Sequence, residues 1–357
     1  MNSESLNFWR ALFSNQEAWP DSFFYWIAIS TAFFLVLIPY LTLHSGARRK
    51  VTADLQARVG PSLVGLRGMI QPVADVLKIF RKAHAVRFRK MEVTWLLVLF
   101  VALFSTMAVL PIGAPFVLVQ GEMTVFLPFW SVVLLALASV YLGGLQGGLI
   151  GHLSGLRLAA RGLSGVFPAL ICIVSLAVDV GKFDWVSVNN SQGFWPLGWN
   201  AFRMFPFFHS LGLVVFLFSG LVVNGFYTNR ILTTDVDFNV TLGGRLTGTS
   251  LMLFRFARFY GFFLWLLMGV VLYCGGWTVP EILNDRLHGF PAVLVALGVF
   301  VLLVKISLLS IFTTLLSKAS CKIRVDQATD FSWKVLSPLA LFVLVGVVCR
   351  QLIRVGL

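Results

Sequence analysis

The densest group of residues that could do chemistry lies in 57–83, ARVGPSLVGLRGMIQPVADVLKIFRKA, where basic, acidic and amide side chains follow one another. Gly60-Pro61 and the glycines after them interrupt a helix and permit tight turns. Pro72 suits the first turn of a new helix. The segment therefore predicts a turn-rich loop that leads into a short helix.

That helix is predicted to be amphipathic. Val73, Leu77 and Phe80 fall on one face, and Asp75 and Lys78 lie largely on another, which is typical of a helix lying along a membrane surface. Spacing alone leaves two interpretations open. The helix either anchors a basic loop in anionic lipid headgroups or frames a polar site.

The elements that position this segment are membrane-spanning. A mean hydropathy of +0.87 with 12% charged residues excludes an ordinary soluble domain and indicates an all-α polytopic membrane protein. Apolar runs predict about eight transmembrane helices with the amphipathic helix after the first. The predicted spans are 24–43, 94–113, 125–145, 161–181, 205–227, 250–274, 291–316 and 335–353.

Basic residues predict the orientation of this single transmembrane domain, residues 24–357. Eleven Lys and Arg residues lie in 44–93, and the loops 228–248 and 318–334 carry more, so these loops are expected to face the matrix or cytoplasm. The N-terminal segment, 1–23, is expected on the outer side and has no signal-peptide pattern. The net charge of +13 is thus largely an orientation signal, and nucleic-acid binding is not needed to explain it.

The cysteines give no sign of a metal or disulfide framework. Cys172, Cys274, Cys321 and Cys349 are scattered singly, without a CxxC pair or a histidine at ligand spacing. We expect buried free thiols and no metal or redox centre in this chain.

Two motifs resemble subunit 1 of respiratory complex I, the proton-pumping NADH:quinone oxidoreductase. Residues 58–78 match its signature R-x-G-P-N-x-x-G-x-x-G-x-x-Q-P-x-A-D-x-x-K at every fixed position except Ser62, where the family has Asn. Residues 322–341, KIRVDQATDFSWKVLSPLAL, resemble its R-x-D-Q-x-x-x-x-x-W-K-x-x-x-P segment. Weaker matches lie at Arg157 and at 228–239, a shortened form of an acidic loop.

The resemblance implies a function for the chain as a subunit of NADH:ubiquinone reductase. Similar subunits form the membrane half of a quinone chamber and link quinone reduction to proton translocation. Quinone is then the substrate, and the iron–sulfur clusters and FMN belong to partner subunits. The implied partners are the peripheral-arm subunits at the quinone site, small membrane-arm subunits, lipids and ubiquinone.

The resemblance also implies roles for particular residues. Those expected to line or brace the quinone chamber are Arg58, Gly60, Pro61, Gln71, Pro72, Asp75 and Lys78, with the acidic pair Asp235 and Asp237. Those expected to brace loops or take part in coupling are Arg157, Arg258, Arg324 and Asp326. A purely bracing role is a serious alternative for each of them, most of all for Arg58, Arg324 and Asp326.

The resemblance aligns three family glutamates, thought to carry the redox signal toward the proton pumps, with Arg48, Val166 and Arg258 of this sequence. An arginine cannot carry protons because its guanidinium stays protonated. Either acids in neighbouring subunits compensate, or the coupling route is altered.

Within the predicted spans, Asp179 is the one plausible acid, and Arg255, Arg258 and Lys305 are candidate cations. Each cation would cost about 2.5–3.5 kcal/mol at a span centre. We therefore expect these side chains to face protein, water or a partner carboxylate.

Two other functions are compatible with the sequence. One is the homologous membrane subunit of an energy-converting hydrogenase or formate hydrogenlyase. The other is an unrelated polytopic transporter, although Gly/Pro-broken spans at matching positions in two halves are not seen. The mitochondrial inner membrane is slightly favoured as the location, with the bacterial inner membrane as the alternative.

Overall fold

The computed structural model describes residues 23–81, 94–95, 97, 124–126, 128–145, 149–202, 207–224, 248–280, 283, 291–319, 323 and 325–355. All regular structure in these ranges is helical. The helices are α1 Phe23–Leu55, α2 Gln71–Phe80, α3 Phe129–Leu145, α4 Leu149–Val180, α5 Trp185–Asn190, α6 Phe208–Asn224, α7 Gly248–Tyr273, α8 Pro291–Ala319, α9 Val325–Phe331 and α10 Ser337–Val355. Single helical turns occur at Gly65–Gly68, Thr124–Phe126 and Pro196–Gly198, and a π-helical turn, Ser332–Leu336, joins α9 to α10.

Four helical segments among the described residues are long and apolar enough to cross a membrane. They are Gly151–Val180, Phe256–Tyr273, Val293–Ala319 and Val325–Arg354. Shorter apolar segments, Val132–Leu142 and Phe208–Val223, coincide with two further predicted spans. The all-helical class is confirmed for the described residues, while the count of eight spans stays a prediction because 94–113 lies largely outside them.

The first helix is longer than the sequence predicts. The predicted span ends at 43, but α1 continues to Leu55. The segment 44–55, HSGARRKVTADL, contains no proline, and its one glycine, Gly46, is tolerated inside a helix, so the helix can continue. The start of the predicted loop 44–93 is therefore a helical extension that carries Arg48 and Arg49.

Helix α7 forms the centre of the bundle. From Phe262 to Tyr273 nearly every side chain is buried, and α2, α5, α6 and α8 pack around the helix. A helix that is apolar on all sides favours this central position. By contrast, α8 and α10 leave long apolar stripes exposed, among them Phe300, Leu308 and Phe342.

Small residues let the helices approach closely. A side chain at Gly155 of α4 would collide with the carbonyl oxygen of Ser139 in α3, and one at Gly220 of α6 would collide with the indole of Trp265 in α7. That indole donates a hydrogen bond to the Phe216 carbonyl at 3.1 Å. Close backbone approach at glycine is a common way to pack helices in lipid.

The expectation of buried cysteines is correct at two positions and wrong at one. Cys172 and Cys274 are free and buried, whereas Cys349 is free and exposed. Cys349 lies on α10, whose outer side is not covered by the rest of the described chain, and an apolar sequence cannot tell a lipid-facing side from a protein-facing one. Cys321 lies outside the described residues.

Candidate functional site

The signature segment folds as a tight turn against the end of α1. Ala57, with a φ of 49°, ends the helix, and the Arg58 amide donates to the Ala53 carbonyl at 3.0 Å. Gly68, with a φ of 88°, lies so close to the Pro61 carbonyl that any side chain would collide with it. The glycines and Pro61 therefore set the loop geometry, as the sequence predicts.

Helix α2 turns its polar side toward α1. The Arg49 guanidinium donates to Asp75 Oδ2 at 2.5 Å, and the Gln71 amide donates to Asp75 Oδ1 at 3.2 Å. Pro72 on the same helix is buried. The structure thus brings together Gln71, Pro72 and Asp75, and it adds Arg49, which sequence reasoning did not include.

The ion pair within this cluster is partly open to solvent. The Arg49 and Asp75 side chains are 33% and 34% exposed, so their attraction is screened and contributes no more than about 1 kcal/mol. The pair is better suited to orienting α2 than to stabilising the fold. A ligand group could also reach Asp75.

The opposite side of α2 is apolar and open. Val73 is 36% exposed and Leu77 is 59% exposed, and Lys78 is exposed beside them. This is the reverse of a surface helix in a soluble protein, where apolar residues point inward. Within the described part of the chain this apolar side is uncovered, so it suits a lipid, a hydrophobic ligand or another protein as its neighbour.

The remaining predicted site residues are dispersed. Arg58 is exposed, Gly60 is half-buried against α1, and Pro61 is half-buried. Arg157 on α4 and Asp326 at the start of α9 are exposed. Asp235, Asp237 and Arg324 lie outside the described residues. The individual roles of all these residues stay predictions.

A row of polar contacts joins α1 to α8, in the part of α1 that precedes the signature loop. Tyr40 contacts Ser307 Oγ at 2.8 Å, and His44 Nε2 contacts Ser310 Oγ at 2.8 Å. These residues recur at helical spacing, so each pair lies about one turn from the next. The row determines how α1 is rotated.

The row ends at Arg48, which stands where the resemblance predicts a glutamate. Its Nε donates to Thr314 Oγ1 at 3.1 Å, and its guanidinium carbon Cζ lies 4.3 Å from the centre of the Phe262 ring. Cation–π and hydrogen-bond contacts of this kind compensate part of the cost of burying the charge. Arg49, the next residue, is thereby placed opposite α2.

Arg258, which stands where the resemblance predicts another glutamate, lines a small cavity. The cavity lies where α3, α4, α6 and α7 meet, and Ser139, Gly162 and Val223 also line it. The arginine is buried, as expected for a cation that faces protein. An arginine at this position keeps its positive charge and cannot exchange protons.

Asp179 is the centre of a second polar cluster, which joins α4, α6 and α10. It accepts hydrogen bonds from the guanidinium of Arg350 at 3.2 Å and the amide of Gln351 at 2.8 Å, and it contacts His209 Nε2 at 3.0 Å. The side chains of Asp179 and His209 are almost fully buried. Asp179, which the sequence places within a predicted span, therefore faces protein, a contact that the sequence did not predict.

Lys305 also faces protein. Its ammonium donates to the carbonyl oxygens of Gly275 and Gly276 at 3.2 and 3.1 Å and lies 4.8 Å from the centre of a Trp199 ring. These carbonyls follow the C-terminus of α7, where a cation is favourable. The Arg255 side chain lies outside the described residues.

The family model described as NADH dehydrogenase matches residues 27–348. The chain belongs to this family. The match confirms the resemblance to subunit 1 of respiratory complex I, and with the long apolar helices it makes the chain a multi-pass membrane part of an oxidoreductase complex. Other complex I subunits are the partners that membership in this NADH dehydrogenase family implies.

Proposed function

We propose that this NADH dehydrogenase family chain forms the membrane wall of a quinone chamber and links quinone reduction by NADH to proton translocation. The observation that carries the proposal is the orientation of α2. Its polar side binds Arg49, while its apolar side, with Val73 and Leu77, is left uncovered by the residues that the structure describes. A quinone with an isoprenoid tail needs both properties, an apolar track and a few polar groups at one end.

The chain's own contribution would be binding and orientation. Asp75, held by Arg49 and Gln71, stays at the edge of the signature loop, where a quinone that passes along α2 would meet it. The acidic pair Asp235 and Asp237 is proposed to face the headgroup. Electrons would come from the FMN and iron–sulfur clusters of partner subunits.

Proton coupling is proposed to depend on acids other than the family's glutamates. Arg48 and Arg258 keep their charge at neutral pH and therefore cannot release protons. Their fixed positive charge would instead stabilise carboxylates that come from the acidic pair or from neighbouring subunits. We propose the mitochondrial inner membrane as the location, with the bacterial inner membrane as the alternative.

The substitution Asp75→Asn tests the role of α2. It removes a charge but keeps a similar shape, so the complex should assemble while the apparent KM for a short-chain ubiquinone analogue rises. Asp184→Asn is the matched control, since Asp184 caps α5 by accepting from the Ser187 amide at 3.0 Å and Asn caps a helix equally well. The control should leave the KM unchanged.

The comparison of Asp75→Asn with its control distinguishes a role of Asp75 in the quinone chamber from a role in bracing α2. Loss of this chain from the complex in Asp75→Asn, with a normal KM in the fraction that assembles, would show that Asp75 only braces α2. Hydrogen evolution in place of quinone reduction by the purified complex would favour the hydrogenase alternative. The family match already argues against an unrelated transporter.

A further inference from the structure

The connection between α4 and α6 carries exposed apolar side chains on a segment without charge. Residues 185–202, WVSVNNSQGFWPLGWNAF, contain no Asp, Glu, Lys or Arg. We call residues 193–202 the aromatic loop. In this loop Trp195 is 72% exposed, Leu197 is 74% exposed and Phe202 is 54% exposed. A loop that met only water would rarely present such a surface.

The aromatic loop is folded tightly, so its exposed side chains are held in place. The Gly193 amide donates to the Gly198 carbonyl at 3.3 Å, and the Gly198 amide donates to the Trp195 carbonyl at 2.9 Å. The Trp199 indole donates to the Phe194 carbonyl at 2.9 Å. These bonds close the turn around Pro196 and leave Trp195 and Leu197 exposed on its outer side.

Two amide side chains hold the aromatic loop against the end of α7: Gln192, which directly precedes the loop, and Asn200 within it. Gln192 Nε2 donates to the Val271 carbonyl at 2.9 Å, and Gln192 Oε1 accepts from the Gly275 amide at 2.8 Å. Asn200 Nδ2 donates to the Leu272 carbonyl at 2.9 Å. The loop therefore turns its amides inward and its apolar side chains outward, an arrangement suited to a hydrophobic surrounding.

The position of the loop in the chain points to the membrane surface. It follows Gly151–Val180, a segment able to cross the membrane, and therefore lies where the chain leaves the bilayer. Phe207, directly before α6, is also 68% exposed, and the neighbouring Phe208 packs on Phe342 of α10 at 5.7 Å between ring centres. Phe342 belongs to the open apolar stripe of a membrane-spanning helix.

We propose that the aromatic loop is a membrane anchor that inserts Trp195 and Leu197 into the interfacial layer of the lipid leaflet on its side of the membrane. Trp side chains are enriched at this level of membrane proteins because the ring is apolar and its N–H still finds polar partners. The absence of charge in 185–202 removes the desolvation cost that a charged side chain would bring to such an insertion.

Spin-label accessibility tests this anchor. A nitroxide is attached to Leu197→Cys, or to Trp195→Cys as a second position, in the full chain within its complex in phosphatidylcholine vesicles. Cys321 and Cys349 are replaced by serine in this background. Asn190→Cys is the matched control, because Asn190 is exposed on α5 of the same connection. Collisions are measured with oxygen, which concentrates in the bilayer, and with a water-soluble nickel chelate.

The expected result is a ratio of oxygen to nickel collisions that is several-fold higher at 195 and 197 than at 190. Ratios at 195 and 197 as low as that of the free nitroxide in buffer would place the loop in water and overturn the proposal. Protection from both reagents at 195 and 197 would show that a protein covers the loop, which also overturns it. Either outcome leaves the proposed quinone function untouched, since that function is measured separately as NADH-driven quinone reduction.

Discussion

Removal of the carboxylate of Asp179 should loosen the last helix from the bundle. Asp179 on α4 binds Arg350 and Gln351 on α10 and contacts His209 on α6. In Asp179→Asn the side chain keeps nearly the same shape, but Arg350 loses its opposite charge. The amide can still form hydrogen bonds with Gln351 and His209.

The size of the effect follows from burial. Breaking a buried ion pair from one side costs about 3–5 kcal/mol because the remaining charge is uncompensated. The Arg350 side chain is 20% exposed, so part of its charge can be hydrated or reach lipid headgroups. We therefore expect a loss of stability near the lower limit, about 3 kcal/mol.

The assay is the temperature at which half of this chain has dissociated from the purified complex, measured on native gels. A loss of about 3 kcal/mol should lower this midpoint by about 5 °C. The double variant Asp179→Asn with Arg350→Gln should recover much of the loss, because both charges are then gone.

Asp330→Asn is the control for loss of an acidic charge. Asp330 forms an ion pair with Lys334 at 2.6 Å, and both side chains are exposed. The midpoint temperature should therefore change by about 1 °C or less. If Asp179→Asn behaved like this control, the cluster would not hold α10, and the reasoning from burial would be refuted.

Two further predictions concern the acidic pair and the topology. In the double variant Asp235→Asn with Asp237→Asn, quinone reduction should fall at least about tenfold, or about 1.4 kcal/mol in barrier, because two close carboxylates can hold a proton for the reduced quinone. Electron transfer from NADH to an artificial acceptor should be retained. Unchanged quinone reduction and unchanged proton pumping would contradict a role of the acidic pair in these two processes. Cysteines introduced in place of Lys82 and Lys322 should be labelled only from the matrix or cytoplasmic side, and a cysteine in place of Arg286 only from the opposite side. Labelling of the cysteine at position 82 from the outer side would reverse the predicted orientation.

Sequence patterns were sufficient for features that depend on local composition. The apolar segments at 250–274 and 291–316 predict α7 and α8 closely, because a long apolar run in lipid must satisfy its backbone as a helix. The glycines and Pro61 of the signature predict a turn. The spacing predicts that Val73 and Leu77 lie away from Asp75, whereas Lys78, expected on the side of Asp75, is exposed beside Val73 and Leu77.

Contacts between distant helices could not be predicted in the same way. Asp179 and Arg350 are far apart in the sequence, and whether they meet depends on how α4 and α10 are rotated about their axes. The same holds for Arg49, which lies in a basic run that also contains Arg48 and Lys50. Only packing determines which of the three faces Asp75. Hydropathy is equal on lipid-facing and protein-facing sides, which explains the error at Cys349.

The central claim is that this chain serves a complex in which NADH reduces quinone. The most direct measurement uses the native complex, purified with this chain and supplied with NADH and a short-chain ubiquinone analogue in sealed vesicles. We expect NADH oxidation coupled to quinone reduction and to acidification on the side opposite the basic loops, without hydrogen evolution. Hydrogen evolution, or NADH oxidation that never depends on quinone, would contradict the claim.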